Sequence, residues 1–167
     1  LGEFRFEVRP AAFVALQRFS YFHANGRNEP AGREIGKALE FMDKAEQLPV
    51  QVQVDILQAA GSHNMSTRHL HAAIEHLERG LAKAEEADYV YGRGACLSEL
   101  GVIYNELSEY DKALQKHGEA LEIFKKAQSN NFVGGVLHNM GNVEFSRKNY
   151  EKAADYYREA ADLKEKH

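Results

Sequence analysis

Four histidines, His63, His69, His71 and His76, form the cluster in this chain whose residue type could most directly do chemistry. Metal ligation from one helix wants two ligands four residues apart, so that both side chains project from one face. No pair here has that separation. His69 and His71 point about 200° apart on a helix, and His71 and His76 are five positions apart. His69 and His76, seven apart, share a face but make only two ligands. Packed or solvated histidines are therefore expected, and no metal. The carboxylates Glu85 and Glu86 lie on a solvated helix surface, where nothing separates their two pKa values into an acid and a base. Gly92-Arg93-Gly94 is too short to cradle a phosphate, and Gly134-Gly135 begins a helix at a corner, so both read as turn glycines. The single cysteine, Cys96, excludes an internal disulfide and reads as a small packed side chain. Catalytic residues and cofactors are not expected, and the chain does not read as an enzyme.

The composition agrees with a binding role. The 167 residues are 44% hydrophobic and 28% charged, ordinary values for one compact domain or one repeat array. A net charge of −4 with neither a basic cluster nor a basic-aromatic stripe argues against nucleic acid as a partner. No apolar run approaches the ~20 residues of a membrane span, and the first residues lack a signal-peptide pattern, so a cytoplasmic protein that avoids membranes is expected.

The elements that would position a binding surface are written in a repeat. Gly101, Tyr110, Ala113 and Ala120 recur forty residues later as Gly141, Tyr150, Ala153 and Ala160, and Leu97 and Leu100 become Leu137 and Met140. Forty residues earlier stand Leu57, Ala60, Gly61, Leu70, Ala73 and Gly80. Self-similarity at such a period marks a solenoid, in which no unit buries its apolar face alone. Each copy divides into two helical patterns. Leu97, Leu100, Ile103 and Tyr104 share one helix face; Ala113, Leu114, Ala120, Leu121 and Phe124 share another. Ser108 is placed to cap the second helix, and Asp111 puts negative charge in its first turn. Small residues at Gly101, Ala113 and Ala120 let the two backbones approach.

The run LSELGVIYNELSEYDKALQKHGEALEIF resembles a tetratricopeptide repeat (TPR), with Leu100-Gly101, Tyr104, Tyr110, Ala113 and Ala120 at the family's positions. HNMGNVEFSRKNYEKAADYYREAADL is similar through Gly141, Tyr150, Ala153, Tyr157 and Ala160, although Glu144 replaces the usual tyrosine. The copy around Gly61 is more degenerate: Asn64, Leu70 and Gly80 stand where Tyr104, Tyr110 and Ala120 stand. The forty-residue form, longer than the usual repeat and without its closing proline, is similar to the repeats of G-protein signalling modulators that bind GoLoco-motif proteins, and also to those of some bacterial regulators. The fold implied is all-α: a right-handed superhelical TPR solenoid of about four antiparallel helix pairs.

Along the chain, residues 1–10 alternate Phe4, Phe6 and Val8 with charged residues and meet Pro10, which predicts an extended N-terminal arm. The array then fills 11–167 with helix pairs over 11–48, 50–88, 92–128 and 132–166. Its first pair carries Phe13, Leu16, Phe19 and Phe22, then Ile35, Ala38, Leu39, Met42 and Ala45, with a break between them in which Asn28 precedes Pro30 as a helix start. Pro49 suits the first turn of the next helix. In the last helix, Ala154 and Ala161 replace the bulkier residues of earlier copies, beside Arg158, Lys164, Glu165 and Lys166, so a polar cap is expected there. That leaves the aromatic N-terminal end, with Phe4, Phe6 and Phe13, as the place for self-association or for an upstream element.

In the TPR superhelix the first helix of each pair lines the concave groove, so the resemblance implies which side chains face a ligand. By helical phase they are Asp55, Gln58, Ser62 and Met65; Ser98, Glu99, Val102, Asn105 and Glu106; and His138, Asn139, Asn142, Phe145 and Ser146. Gln58, Asn105 and Asn142 can pair with a peptide backbone while Met65, Val102 and Phe145 give shallow apolar contact. Asn142 falls where many family members hold the ligand backbone. The family's carboxylate clamp needs lysines and arginines that these positions lack. The expected function is a protein-protein interaction module or scaffold whose groove binds a peptide segment of a partner protein. The alternative is a regulatory sensor domain of a larger signalling or transcription-regulating polypeptide.

Overall fold

The structure, a computed structural model, describes the backbone of residues 2–44 and 48–165 and the side chains of 11–44 and 48–163. Among the described residues eight helices follow one another: α1 (Gly2–Ala24), α2 (Asn28–Lys44), α3 (Val50–Ser66), α4 (Leu70–Glu86), α5 (Val90–Glu106), α6 (Tyr110–Lys126), α7 (Asn130–Ser146) and α8 (Tyr150–Glu165). No strand occurs among them. Contacts divide the chain into two compact units, Leu1–Tyr89 and Val90–His167.

α1 overturns the extended arm expected over residues 1–10, because the backbone is helical from Gly2 onward. A lone strand leaves its peptide groups without partners, whereas a helix satisfies them internally. Phe4 and Val8 are also four apart, so the residues that alternate equally carry a helical spacing running into Ala12 and Ala15. The Phe4 and Phe6 side chains lie outside the described residues, as do Ala45 and the side chains of Lys164, Glu165 and Lys166.

From α3 onward a new helix begins every twenty residues, so the forty-residue repeat is two copies of one helix-and-corner unit. The middle residues of the five corners, Arg68, Asp88, Ser108, Gln128 and Lys148, all have φ between 51° and 65°. This left-handed residue turns two amides back onto the last free carbonyls of the helix it ends. Ser108 N–H donates to Asn105 O at 2.9 Å and Glu109 N–H to Tyr104 O at 2.8 Å, and the same pair of bonds recurs at each corner. Ser108 is thus the closing residue of α5 and not the cap of α6, which Glu109 precedes without a side-chain cap bond. Gly26, at φ 66°, does the same work between α1 and α2. Pro49 is the N-cap of α3, immediately before its first turn.

Within the first unit, α1 pairs with α2 and α3 with α4, while α3 also meets α1 and α2. Ala12, Phe19, Ile35, Ala38, Ile56 and Ala60 belong to its buried core. Within the second, α5 pairs with α6 and α7 with α8, and α7 packs on both α5 and α6. Leu97, Leu100, Ile103, Phe124, Leu137 and Val143 are buried there.

One packing device sets the spacing inside three of the pairs. A Cβ on Gly61 would come within 2.6 Å of Leu77, one on Gly101 within 2.5 Å of His117, and one on Gly141 within 2.5 Å of Tyr157. Each glycine on the first helix is therefore the seat of a large side chain from the second, sixteen residues later. The repeat preserves this close approach while changing the residue that fills it.

Candidate interaction face

In the second unit, α5 and α7 lie side by side because both are first helices of their pairs. Asn139 Nδ2 reaches Ser98 Oγ at 3.5 Å, which joins the two helices at the limit of a hydrogen bond. Val102 and Asn105 are half-buried, and Asn105 Oδ1 is shielded from water without a partner. Glu106 and His138 are exposed. Asn142 is half-buried, and its Oδ1 accepts a hydrogen bond from the Tyr157 hydroxyl at 2.8 Å. Phe145, 58% exposed, meets Tyr150 edge to face with ring centroids 5.3 Å apart. The structure thus brings Ser98 to Asn139 and supports Asn142 and Phe145 with tyrosines of α8.

In the first unit, Gln58 and Ser62 line an open cleft of about 450 Å³ between α1 and α3, opposite Phe13, Gln17 and Ser20. Phe13, 57% exposed, supplies the apolar wall. Asp55 also lines the cleft, and desolvation there raises its carboxyl above the usual value although the side chain keeps an exposed edge. Met65 is half-buried and lies outside the cleft wall.

The sequence reading missed Tyr150, Tyr157 and the α1 wall. Tyr157 belongs to a second helix, so its phase alone assigns it to the pair interface. Gly141 is the signal that could have found it: without a side chain there, the tyrosine ring passes over α7 and its hydroxyl emerges beside Asn142.

The histidines do not converge. His69 Nδ1 lies 3.0 Å from Thr67 Oγ1, His76 Nδ1 donates to Ala72 O at 2.8 Å, and His71 is exposed. The His63 ring sits where a Cβ on Gly32 would meet Nε2 at 2.9 Å, and burial with the nearby His23 and His69 lowers its pKa. Among the described residues no group of three or more His, Cys, Asp or Glu side chains is arranged to hold a metal ion. No helix among them is long and apolar enough to cross a membrane.

Residues 95–166 match the family model described as tetratricopeptide repeat, which supports a TPR-type repeat in this segment. Over 165 residues, 99% of its length, the chain is 28% identical to the response regulator aspartate phosphatase I of Bacillus subtilis (strain 168), and it spans 39% of that relative. The fold is shared with the apo form of RapI, with a TM-score of 0.82 at 22% identity over 95% of this chain and 57% of that one. It is also shared with a Rap protein complexed with competence and sporulation factor, with a TM-score of 0.85 at 16% identity over 94% of this chain and 44% of that one. These matches support the all-α, TPR-type architecture. Of the two resemblances drawn from the forty-residue repeat, they support the bacterial regulators and not the GoLoco-binding modulators.

Proposed function

We propose that this chain is a recognition module whose first-helix faces take a peptide segment of a partner protein, and that it works as part of a regulator of the response-regulator-phosphatase kind. The observation that carries the reading is the α5–α7 face, where half-buried amides at Asn105 and Asn142 stand among Ser98, Val102, His138 and the exposed Phe145. Such a surface can satisfy the polar backbone of a peptide at fixed points and give shallow apolar contact between them. Gln58 and Ser62, in the α1–α3 cleft with Phe13 and Asp55, offer the same mixture in the first unit. A solved relative of the same fold is complexed with competence and sporulation factor, which supports a factor-binding role for the architecture.

The chain spans 39% of its curated relative, so the phosphatase named for that relative is not assigned to this segment, to which the proposal gives recognition alone. The partner is a protein, reached through a peptide segment in the cytoplasm, and recognition needs neither cofactor nor metal.

Selection of a displayed random hexapeptide library on the intact chain, followed by calorimetric titration of the recovered peptide, tests the reading. Asn142→Ala combined with Phe145→Ala should weaken that peptide about tenfold or more while lowering the melting temperature by only a few degrees, since Phe145 is exposed and the half-buried Asn142 gives up one hydrogen bond. Leu100→Ala, 1% exposed, should instead cost roughly 2 to 5 kcal/mol of stability. A recovered peptide indifferent to the double substitution moves the site to the second-helix side; recovery of none from the library sinks the peptide reading.

A further inference from the structure

We propose that Tyr157 is a positioning residue for recognition: its hydroxyl, donated to Asn142 Oδ1, holds the Asn142 carboxamide with Nδ2 toward the ligand, so that this site selects a carbonyl acceptor. The inference rests on the peptide-face reading of α7.

The geometry has three parts. The hydroxyl reaches Oδ1 at 2.8 Å, from α8 to the face of α7. The Tyr157 ring is seated on Gly141, where a Cβ would come within 2.5 Å of Cε1, so the bare backbone of α7 fixes how far the hydroxyl extends. The His138 ring packs against it, with centroids 5.2 Å apart and planes tilted by 45°, a second contact on the tyrosine ring. A free asparagine amide presents either end, because its oxygen and nitrogen ends are nearly equal in size. A hydroxyl proton aimed at Oδ1 removes that ambiguity and leaves the two Nδ2 hydrogens as the outward group.

The repeats supply an internal control. At the position of Asn142 the earlier copies carry Ser62 and Val102; at the position of Tyr157 they carry Leu77 and His117. Leu77 and His117 fill the glycine seats at Gly61 and Gly101 as Tyr157 fills that at Gly141. Packing thus accepts a leucine, a histidine or a tyrosine. Of these three copies, the tyrosine stands in the one that carries an amide at that position, which points to a purpose for the hydroxyl beyond filling the seat.

Tyr157→Phe removes the hydroxyl and keeps the ring, so it separates the two roles. For the library-selected peptide, the expected result is a loss of affinity of about 3- to 10-fold, the range of one hydrogen bond, with the melting temperature held within about 2 °C. In the Asn142→Ala background the same substitution should change affinity less than twofold, because nothing remains to be positioned. In the free chain, Tyr157→Phe should move the side-chain amide NMR signals of Asn142 and leave those of Asn105 in place. Affinity unchanged by Tyr157→Phe, or an equal loss with and without Asn142, would overturn the proposal. Should the wild-type chain select no peptide, the peptide reading fails, and the amide signals alone decide the positioning: displacement supports it and an unmoved pair of signals refutes it.

Discussion

The α5–α6 pair and the α7–α8 pair are forty residues apart and built on one plan, yet they spend the same seat differently. In the first, His117 lies fully buried over Gly101 with both ring nitrogens lacking a hydrogen-bond partner, and burial lowers its pKa to about 4. In the second, Tyr157 covers Gly141 and sends its hydroxyl out to Asn142. The histidine is a neutral filler with a latent charge; the tyrosine fills and also reaches the interaction face. A repeat can therefore hold its spacing by volume alone while its chemistry drifts from copy to copy, because close packing constrains size more tightly than polarity.

Acid breaks the comparison with the largest expected effect. The folded chain keeps His117 neutral down to about pH 4, whereas the unfolded chain binds that proton near 6.5. Between these values the unfolded state holds more protons, so stability rises with pH and is lost as pH falls from about 6.5 to about 4. The expected loss from this residue is about 2 kcal/mol at pH 5 and about 3 kcal/mol at pH 4. His117→Leu, which copies Leu77 at the same position of the earlier repeat, should remove most of this slope. Urea unfolding of both chains at pH 7, 5 and 4 measures it; equal slopes would mean that the ring is hydrated in the folded state. His63, whose pKa is also lowered by burial, adds a pH dependence of the same sign that the substitution leaves in place.

A methyl group sharpens the contrast next. Gly101→Ala gains about 1 kcal/mol of helix propensity but drives a Cβ into an enclosed imidazole, so a net destabilisation of about 1–3 kcal/mol is expected by thermal or urea unfolding. Gly141→Ala should cost less, because the half-buried Tyr157 can tilt outward. That tilt should cost peptide affinity instead, an exchange that has no counterpart at Gly101.

The smallest effect concerns what the pairs share. Ser108 closes α5 at φ 61°, a conformation that costs a residue with a side chain about 1–2 kcal/mol. Ser108→Gly removes that cost but adds about 0.4–1 kcal/mol of unfolded-chain entropy. The expected net gain is on the order of 0.5–1 kcal/mol in denaturant midpoint analysis, and a loss would mean that the corner depends on the serine side chain.

The helix pairs were legible because amphipathic spacing and small residues repeat in register: Gly101 and Gly141, Ala113 and Ala153, Ala120 and Ala160 each announce a close approach. The left-handed residue that closes each helix was not legible. Gly26 signals a left-handed turn, but Arg68, Asp88, Ser108, Gln128 and Lys148 share no residue type, since what forces the conformation is the need of the preceding carbonyls for amide partners. The first residues misled for a related reason, because Phe4, Phe6 and Val8 satisfy a strand period over too short a span to exclude a helix.

For the candidate face, the chain's own pattern determined which side of each first helix turns away from its partner, and so named Ser98, Asn105, Asn139 and Asn142 as residues to watch. Only tertiary structure decided what those residues meet. Helical phase describes one helix at a time, and Tyr157 comes from the next one, where phase assigns it to the interior. Whether its hydroxyl ends in the core or beside Asn142 depends on a few ångströms of approach between α7 and α8, a distance set by the absent side chain at Gly141.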